Sequence, residues 1–329
     1  MILVCGFNGF IGSHLFVELL NNGFSIIGVD NFVNSSYKNI FKMQNASGKK
    51  ISFIKCNILD TYNLEEIFKK YSISTVIHLA SLKSVGESSL YPAKYYYNNV
   101  LGSKSLFSLM RKYGVKNLIF SSSATVYGNP IKLPLCENHP IRSTNPYAQN
   151  KIDIENILLN DPYFKNDCSV KILRYFNPIG AHQGGLIGEN PKGIPNNLMP
   201  YILKVAQRTY QKVSVFGNDY DTHDGTGVRD YIHIMDLVGG HIKALNYQKK
   251  GVSIFNLGTG HGYSVLDLIK TFERVNHITI PFEFVNRRGG DVAAVYADPS
   301  KAESVLGFKA RLTLEDMCRD AWTFAKDNS

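Results

Sequence analysis

Tyr147 and Lys151 stand four residues apart in Tyr147-Ala-Gln-Asn-Lys151. On a helix that spacing puts a phenol and an ammonium on one face, with Cβ atoms about 5–6 Å apart. A free phenol has a pKa of about 10 and is only ~0.1% ionised at pH 7. A neighbouring cation favours the phenolate, so the pair could serve as a general base. Ser123, in Ser121-Ser-Ser-Ala-Thr-Val-Tyr127, closes an apolar run and could hydrogen-bond a reacting oxygen. Taken alone, a Tyr and a Lys at this spacing are frequent by chance and read better as an ordinary surface helix. A second feature gives them a context. Gly6-Phe-Asn-Gly9-Phe-Ile-Gly12 lies between an apolar run and an amphipathic stretch. Its glycines permit a tight turn, close approach of backbone N–H groups to a pyrophosphate and close helix packing. The helix N-terminus adds about half a positive charge. The spacing is G-x-x-G-x-x-G rather than G-x-G-x-x-G, and its place between strand and helix makes it a dinucleotide fingerprint. Asp30 ends the second apolar run, where an acid accepts from ribose hydroxyls; the plainer reading is a strand-end turn residue. A carboxylate there repels a 2′-phosphate and favours NAD over NADP.

Those residues need elements to hold them. Ile2–Cys5, Ser25–Asp30, Ser52–Cys56, Thr75–Leu79, Asn117–Ser121 and Val170–Leu173 read as buried strands. Leu15 and Leu19, then Leu64, Ile67 and Phe68 behind Asp60-Thr61, recur at helical spacing. Long helices are predicted over Pro92–Tyr113 and Tyr147–Leu159, each beside a proline. This alternation implies βαβ units: an α/β, Rossmann-type doubly wound parallel sheet with both faces covered. Residues 1–177, joined by part of 228–256, form the nucleotide domain. Residues 178–329 form a smaller mixed α/β domain, with helices near Leu198–Arg208, Asp236–Asn246, Val265–Asn276 and Leu314–Ala325, and the boundary is crossed more than once.

Composition excludes several classes. The chain has 329 residues, 44% hydrophobic and 19% charged, so it can bury a core and is not an intrinsically disordered chain. No apolar run approaches the ~18 residues of a membrane span, and Met1-Ile-Leu-Val-Cys-Gly6 reads as a buried strand, not a signal peptide. Cys5, Cys56, Cys136, Cys168 and Cys318 are odd in number and scattered, as in a reduced cytoplasmic protein. Asp219, Asp221, His223 and Asp224 only loosely imitate a calcium loop, and no metal is expected. The net charge of +9 is dispersed, which argues against a nucleic-acid stripe.

Further segments stand out: Val76-Ile-His-Leu-Ala80, Val85-Gly-Glu-Ser88, Phe120-Ser-Ser-Ser-Ala-Thr-Val-Tyr-Gly128, Arg174-Tyr-Phe-Asn-Pro178, Gly193-Ile-Pro-Asn-Asn-Leu-Met-Pro200, Phe216-Gly-Asn-Asp-Tyr220 and Asp224-Gly-Thr-Gly-Val-Arg-Asp-Tyr-Ile-His233. With Gly6–Gly12, they make the chain resemble the extended short-chain dehydrogenase/reductases, and within them the UDP-glucose (UDP-galactose) 4-epimerase family. The resemblance implies NAD-dependent inversion of C4 of a UDP-hexose, with Ser123, Tyr147 and Lys151 as the catalytic group and a homodimer as the assembly. By the same resemblance NAD meets Gly6, Gly9, Phe10, Ile11, Gly12, Asp30, Asn31, Asn34, Ser35, Asn57, Ile58, Leu79, Ala80, Lys83, Asn98, Tyr147, Lys151 and Phe176. The UDP-sugar meets Lys83, Ser123, Tyr147, Asn177, Asn197, Leu198, Arg229, Arg288, Asp291 and Val295. Departures from the family pattern are Phe7 for a glycine, Asn57 for an aspartate at the adenine end, and Val295 for a large aromatic in the hexose pocket; a one-residue shift would put Tyr296 there instead. Two rivals remain. A nucleotide-sugar 4,6-dehydratase, or another nucleotide-sugar-modifying member, would need an Asp/Glu pair where Ala124 and Thr125 stand. A non-catalytic NAD-binding sensor or scaffold would not need Tyr147 and Lys151.

Overall fold

The structure is a computed structural model and describes residues 1–326. The chain divides into two compact units: Met1–Gly128, His139–Arg174 and His241–Phe255 form the first, the remaining segments the second. Segment Asn129–Asn138 thus belongs to the second unit.

The first unit carries a seven-stranded sheet. Its strands are β1 (Ile2–Cys5), β2 (Ile26–Asp30), β3 (Phe53–Lys55), β4 (Thr75–His78), β5 (Asn117–Ser123), β6 (Ser169–Tyr175) and the Gly251–Leu257 strand. β1 sits near the centre, with β2 and β3 to one side and β4, β5, β6 and Gly251–Leu257 to the other. Pairs β1/β2, β1/β4, β2/β3 and β4/β5 are parallel. β1, β4 and β6 are buried along their whole length; β1 is an unbroken apolar run, whereas Thr75 and His78 flank the apolar pair of β4 and Lys171 and Arg174 interrupt β6. Helices cover the sheet: α1 (Phe10–Asn21) starts at Gly9, and the Thr61–Lys70 helix starts at Asp60, whose carboxylate accepts from Asn63 N at 3.1 Å.

Phe7 shows how the glycine turn tolerates a bulky residue. Its ring is fully buried, 5.2 Å from Phe16 and 5.6 Å from Phe53. It occupies the space that Gly28 leaves on β2: a Cβ at Gly28 would lie 2.4 Å from the Phe7 ring. The two departures from average size compensate.

One predicted helix is broken. Instead of a single helix over Pro92–Tyr113, an α turn at Pro92–Tyr95 leads into a π-helical stretch, Tyr96–Leu101, before Gly102–Lys112. π-turns recur at functional positions, and this one carries Asn98 and Asn99. The Asn99 side chain accepts from Leu82 N at 2.8 Å and donates to Leu82 O at 3.0 Å, pinning the chain after β4.

The second unit is a patchwork of small sheets. Asn177–Ile179 pairs in parallel with Tyr231–His233, Phe282–Val285 with Val213–Phe216, and Val228–Arg229 lies between Tyr263–Ser264 and Ala294–Val295. Its core gathers Met199, Ile202, Leu268, Phe272 and Met317 from helices Leu198–Ala206, Val265–Asn276 and Leu314–Lys326. Ser264 and Asp267 close a reciprocal cap at the start of Val265–Asn276.

Candidate functional site

In the first unit, Gly6, Gly9, Asp30, Asn31, Asn34, Ser35, Ile58, Leu79, Ala80 and Asn98 line one cleft at the C-terminal ends of the strands. Gly6 has φ +83°, and a Cβ there would lie 2.7 Å from Ala80 N. Gly9 caps α1 without a side-chain acceptor, so the first-turn N–H groups of Phe10, Ile11 and Gly12 are left for an anion. Asp30 is held by three donors: Phe32 N at 2.8 Å, Ser35 Oγ at 3.1 Å and Asn8 N at 3.2 Å. A glycine cradle, a bare helix N-terminus and an oriented carboxylate fit a dinucleotide. Asn57 and Lys83 are not part of that lining: Asn57 Oδ1 accepts from Leu59 N at 3.0 Å, and Lys83 is exposed. Val29, Val33, Cys56, Ser81 and Leu82 also line the cleft, although nothing in their types suggested it. Most of them lie at or just beyond the ends of β2, β3 and β4, and that placement was the available signal.

No Arg or Lys occurs in Asn31–Ser36 to compensate a phosphate beside Asp30. We therefore expect NAD to bind at least about 100-fold more tightly than NADP, given the ~4 kcal/mol scale of like charges about 4 Å apart near a protein surface. Titration of both cofactors checks this, and equal affinities would remove the role given to Asp30.

The catalytic candidates converge in the same unit. Asn145 accepts from Ala148 N at 2.9 Å and Pro146 takes the first position, so the helix runs Pro146–Asn160. Lys151 Nζ lies 5.7 Å from the Tyr147 ring centroid and donates to Ser121 O at 2.7 Å. The Tyr147 hydroxyl is hydrogen-bonded to Ser123. Ser123 Oγ already accepts from Thr125 N at 3.2 Å and Thr125 Oγ1 at 3.0 Å, so its own O–H is free to donate. Burial pushes the Tyr147 phenol up to about 12 and the Lys151 ammonium down to about 7. Desolvation therefore outweighs the neighbouring cation that the spacing places beside the phenol.

In the second unit, Arg229, Arg288 and Asp291 meet. Asp291 accepts from Arg288 Nε at 3.1 Å and Nη2 at 2.9 Å, and its Oδ1 lies 3.8 Å from Arg229 Nη2. Arg229 is braced by Val228 O and Val292 O, both at 2.9 Å. Asn177 is exposed at the start of its short strand, with its N–H on Asp230 O at 2.9 Å, and Phe176 is buried beside it. Asn197 caps Leu198–Ala206 by position, while its side chain donates to Glu189 at 2.9 Å. Val295 pairs with Arg229 across the sheet, whereas the Tyr296 ring lies near Gly262. Consecutive residues of extended chain face opposite ways, so Val295 and Tyr296 do not occupy the same site. Asp224 and Asp267, within 4.8 Å of His223, accept hydrogen bonds from Ser264 and Thr226, which accounts for their clustering.

Several supporting residues escaped sequence reasoning. Asp230 is fully buried and accepts from Thr259 N, Thr259 Oγ1, Gly260 N and Ala297 N, tying three segments around Arg229. Phe216 is exposed, with Arg288 5.6 Å from its ring centroid, a flat apolar face beside the arginine.

The chain matches the family model described as GDP-mannose 4,6 dehydratase over residues 3–321. It is 50% identical to UDP-glucose 4-epimerase of Bacillus subtilis, covering 99% of this chain and 97% of that protein. It is 52% identical to UDP-glucose 4-epimerase of Haemophilus influenzae, covering 99% and 98%. Among solved structures it superposes on UDP-glucose 4-epimerase from Bifidobacterium longum in complex with NAD+ and UDP with a TM-score of 0.96, at 47% identity over 99% of this chain and 98% of that one. With near-complete coverage at half identity, the chain belongs to the UDP-glucose 4-epimerase family of extended short-chain dehydrogenase/reductases.

Proposed function

We propose that the protein is an isomerase that inverts C4 of UDP-hexoses, interconverting UDP-glucose and UDP-galactose with NAD. The observation that carries this is the Ser123–Tyr147–Lys151 group at the end of β5, on the same sheet edge as the glycine cradle and Asp30. NAD held by the cradle supplies a hydride acceptor for the sugar carbon and a hydride donor for the return. Tyr147 takes the proton of the 4-hydroxyl and later gives it back. The Lys151 ammonium favours the phenolate of Tyr147, and oxidised NAD, when bound, would add positive charge in the same sense. Ser123 donates to the oxygen as its bond order rises. Arg229 and Arg288 bind the diphosphate as planar forks, Asp291 accepts from ribose hydroxyls, and Asn177, Asn197 and Leu198 border the uridine and sugar. Lys83 and Phe176 complete the contacts the family pattern implies. No carboxylate stands at Ala124 or Thr125, where a 4,6-dehydratase keeps its acid–base pair; Thr125 instead donates to Ser123. Purified protein given UDP-galactose should form UDP-glucose without added NADH. Formation of a 4-keto-6-deoxy sugar, or no turnover, would overturn the reading.

Val295 extends it to 2-acetamido sugars. A valine leaves room beside C2 that a tyrosine would fill, so the protein should also interconvert UDP-N-acetylglucosamine and UDP-N-acetylgalactosamine. Val295→Tyr should suppress the acetylated pair selectively, since overpacking costs ~1–3 kcal/mol, roughly ten- to a hundredfold. Wild-type protein inert toward UDP-N-acetylgalactosamine would end this extension.

The assembly we propose is a cytoplasmic homodimer. Tyr95, Leu106, Phe107, Ile152 and Ile154, apolar residues of the two long helical segments, are buried within their own unit. What remains exposed is Tyr91, Tyr96 and Tyr97, with a groove between Pro92–Tyr96 and Asn145–Asp153. Light scattering at micromolar concentration should give twice the chain mass; a monomer would refute it.

A further inference from the structure

Glu155 follows Lys151 by one helical turn and Tyr147 by two, so the three side chains share a face of the Pro146–Asn160 helix. Glu155 is 0% exposed and Arg174, on β6, 2%. Arg174 grips the carboxylate with both prongs, Nε to Oε1 at 3.1 Å and Nη2 to Oε2 at 2.6 Å. Oε1 also accepts the Ser122 hydroxyl at 2.5 Å, and Arg174 Nη1 donates to the Tyr127 hydroxyl at 3.0 Å. Ser122 directly precedes Ser123, and Tyr127 closes the 3-10 turn that follows it. From the other side, Lys151 donates to Ser121 O. The two residues just before Ser123 are therefore held directly to the helix bearing Tyr147, Ser122 by Glu155 and Ser121 by Lys151, while Tyr127 beyond it is held by Arg174.

Stability does not account for such a pair. Two charges taken out of water generally gain less than well-packed apolar residues of the same volume. What the pair supplies is register, because a guanidinium fork on a carboxylate admits one geometry. We propose that Glu155 and Arg174 are positioning residues for the reaction: their buried ion pair fixes Tyr147 and Lys151 against Ser123, and the Glu155 carboxylate favours the charged form of Lys151. This inference rests on the epimerase reading above. The groups facing Lys151 are few. His78 approaches from β4 and is neutral, burial having pushed it down to about 3. The Phe120 ring centroid lies 5.0 Å from Nζ. Tyr147 and Glu155 come from its own helix, with Arg174 and Tyr127 behind Glu155. Among the described residues, Glu155 is the carboxylate that opposes the desolvation of Lys151.

The test follows UDP-galactose turnover by the purified, NAD-loaded protein across pH. Glu155→Gln keeps the shape and strands Arg174. It should lower kcat roughly 10–100-fold, as misplacements of about 1 Å do, with KM within about threefold. It should also move the alkaline limb of the kcat profile to lower pH, because the ammonium then releases its proton sooner. Arg174→Gln leaves Glu155 uncompensated and should move that limb to higher pH. The double variant Glu155→Gln/Arg174→Met should return it toward the wild-type position. A merely structural role would lower both single variants with the limb unmoved, and that result overturns the proposal. Should those variants fail to fold, Ser122→Ala removes one link without stranding a charge. It should lower kcat severalfold at unchanged KM and melting temperature, and unchanged kcat would count against the proposal. A carbon-13 titration of the Lys151 side chain in wild-type and Glu155→Gln holoprotein reads the charge effect without substrate. Wild-type protein inert toward UDP-galactose would defeat the functional reading, while identical Lys151 titrations would defeat this one.

Discussion

Tyr147→Phe should lower kcat by about 10²–10⁴-fold, the range typical of a lost general base, with the KM for UDP-galactose nearly unchanged. The substitution deletes one oxygen, the atom hydrogen-bonded to Ser123. Lys151 keeps its bond to Ser121 O, so the helix stays where it was. Arg229, Arg288 and Asp291 hold one another independently of that oxygen, and uridine diphosphate binding should persist. The loss converts to about 3–5 kcal/mol of transition-state stabilisation. Steady-state kinetics beside a direct binding measurement for UDP separate the two effects. A variant retaining most of its kcat would dismiss Tyr147 as the base.

Gly12→Ala should abolish cofactor retention and lower the melting temperature. An alanine Cβ at Gly12 would sit 2.1 Å from Gly6 O and 2.8 Å from the Phe7 backbone. Neither neighbour is the end of a flexible side chain, so the turn itself must open. Overpacking of this kind costs ~1–3 kcal/mol or more, and a turn that yields loses its aim at the pyrophosphate, so NAD affinity should fall by at least about 100-fold. Gly9→Ala is the contrasting case. Its Cβ would meet only Gly6 O, at 3.5 Å, an ordinary contact. Gly9 nevertheless lines the cleft, so that variant should melt like the parent and still bind NAD more weakly. Calorimetric titration with NAD and a thermal melt check both, and a Gly12→Ala protein that melts and binds like the parent would refute the packing argument.

The sequence by itself determined the periodic and the contiguous. Strands buried on both faces are rich in apolar residues, so β1 and the apolar stretches of β4 and β6 were legible, although Lys171 and Arg174 interrupt β6. Helix starts were legible where a cap stands beside a proline or a polar turn, as at Asn145-Pro146 and Asp60. The glycine loop, Asp30, Ser123, Tyr147 and Lys151 could be picked out because each chemistry demands its residue type at a local spacing or a strand end. What the tertiary structure decided lies in pairs that are distant along the chain. Phe7 fits because Gly28, on the neighbouring strand, has no side chain, and nothing near Phe7 in sequence says so. The Pro92–Tyr113 stretch has helical periodicity throughout, yet a π-turn opens where Asn99 must clamp Leu82. Glu155 and Arg174 are each unremarkable in sequence; only burial from two different elements makes them one ion pair. The ionisation of Tyr147 is also a tertiary property. Spacing puts a cation near Tyr147, but desolvation, which depends on everything packed around it, moves the phenol the other way.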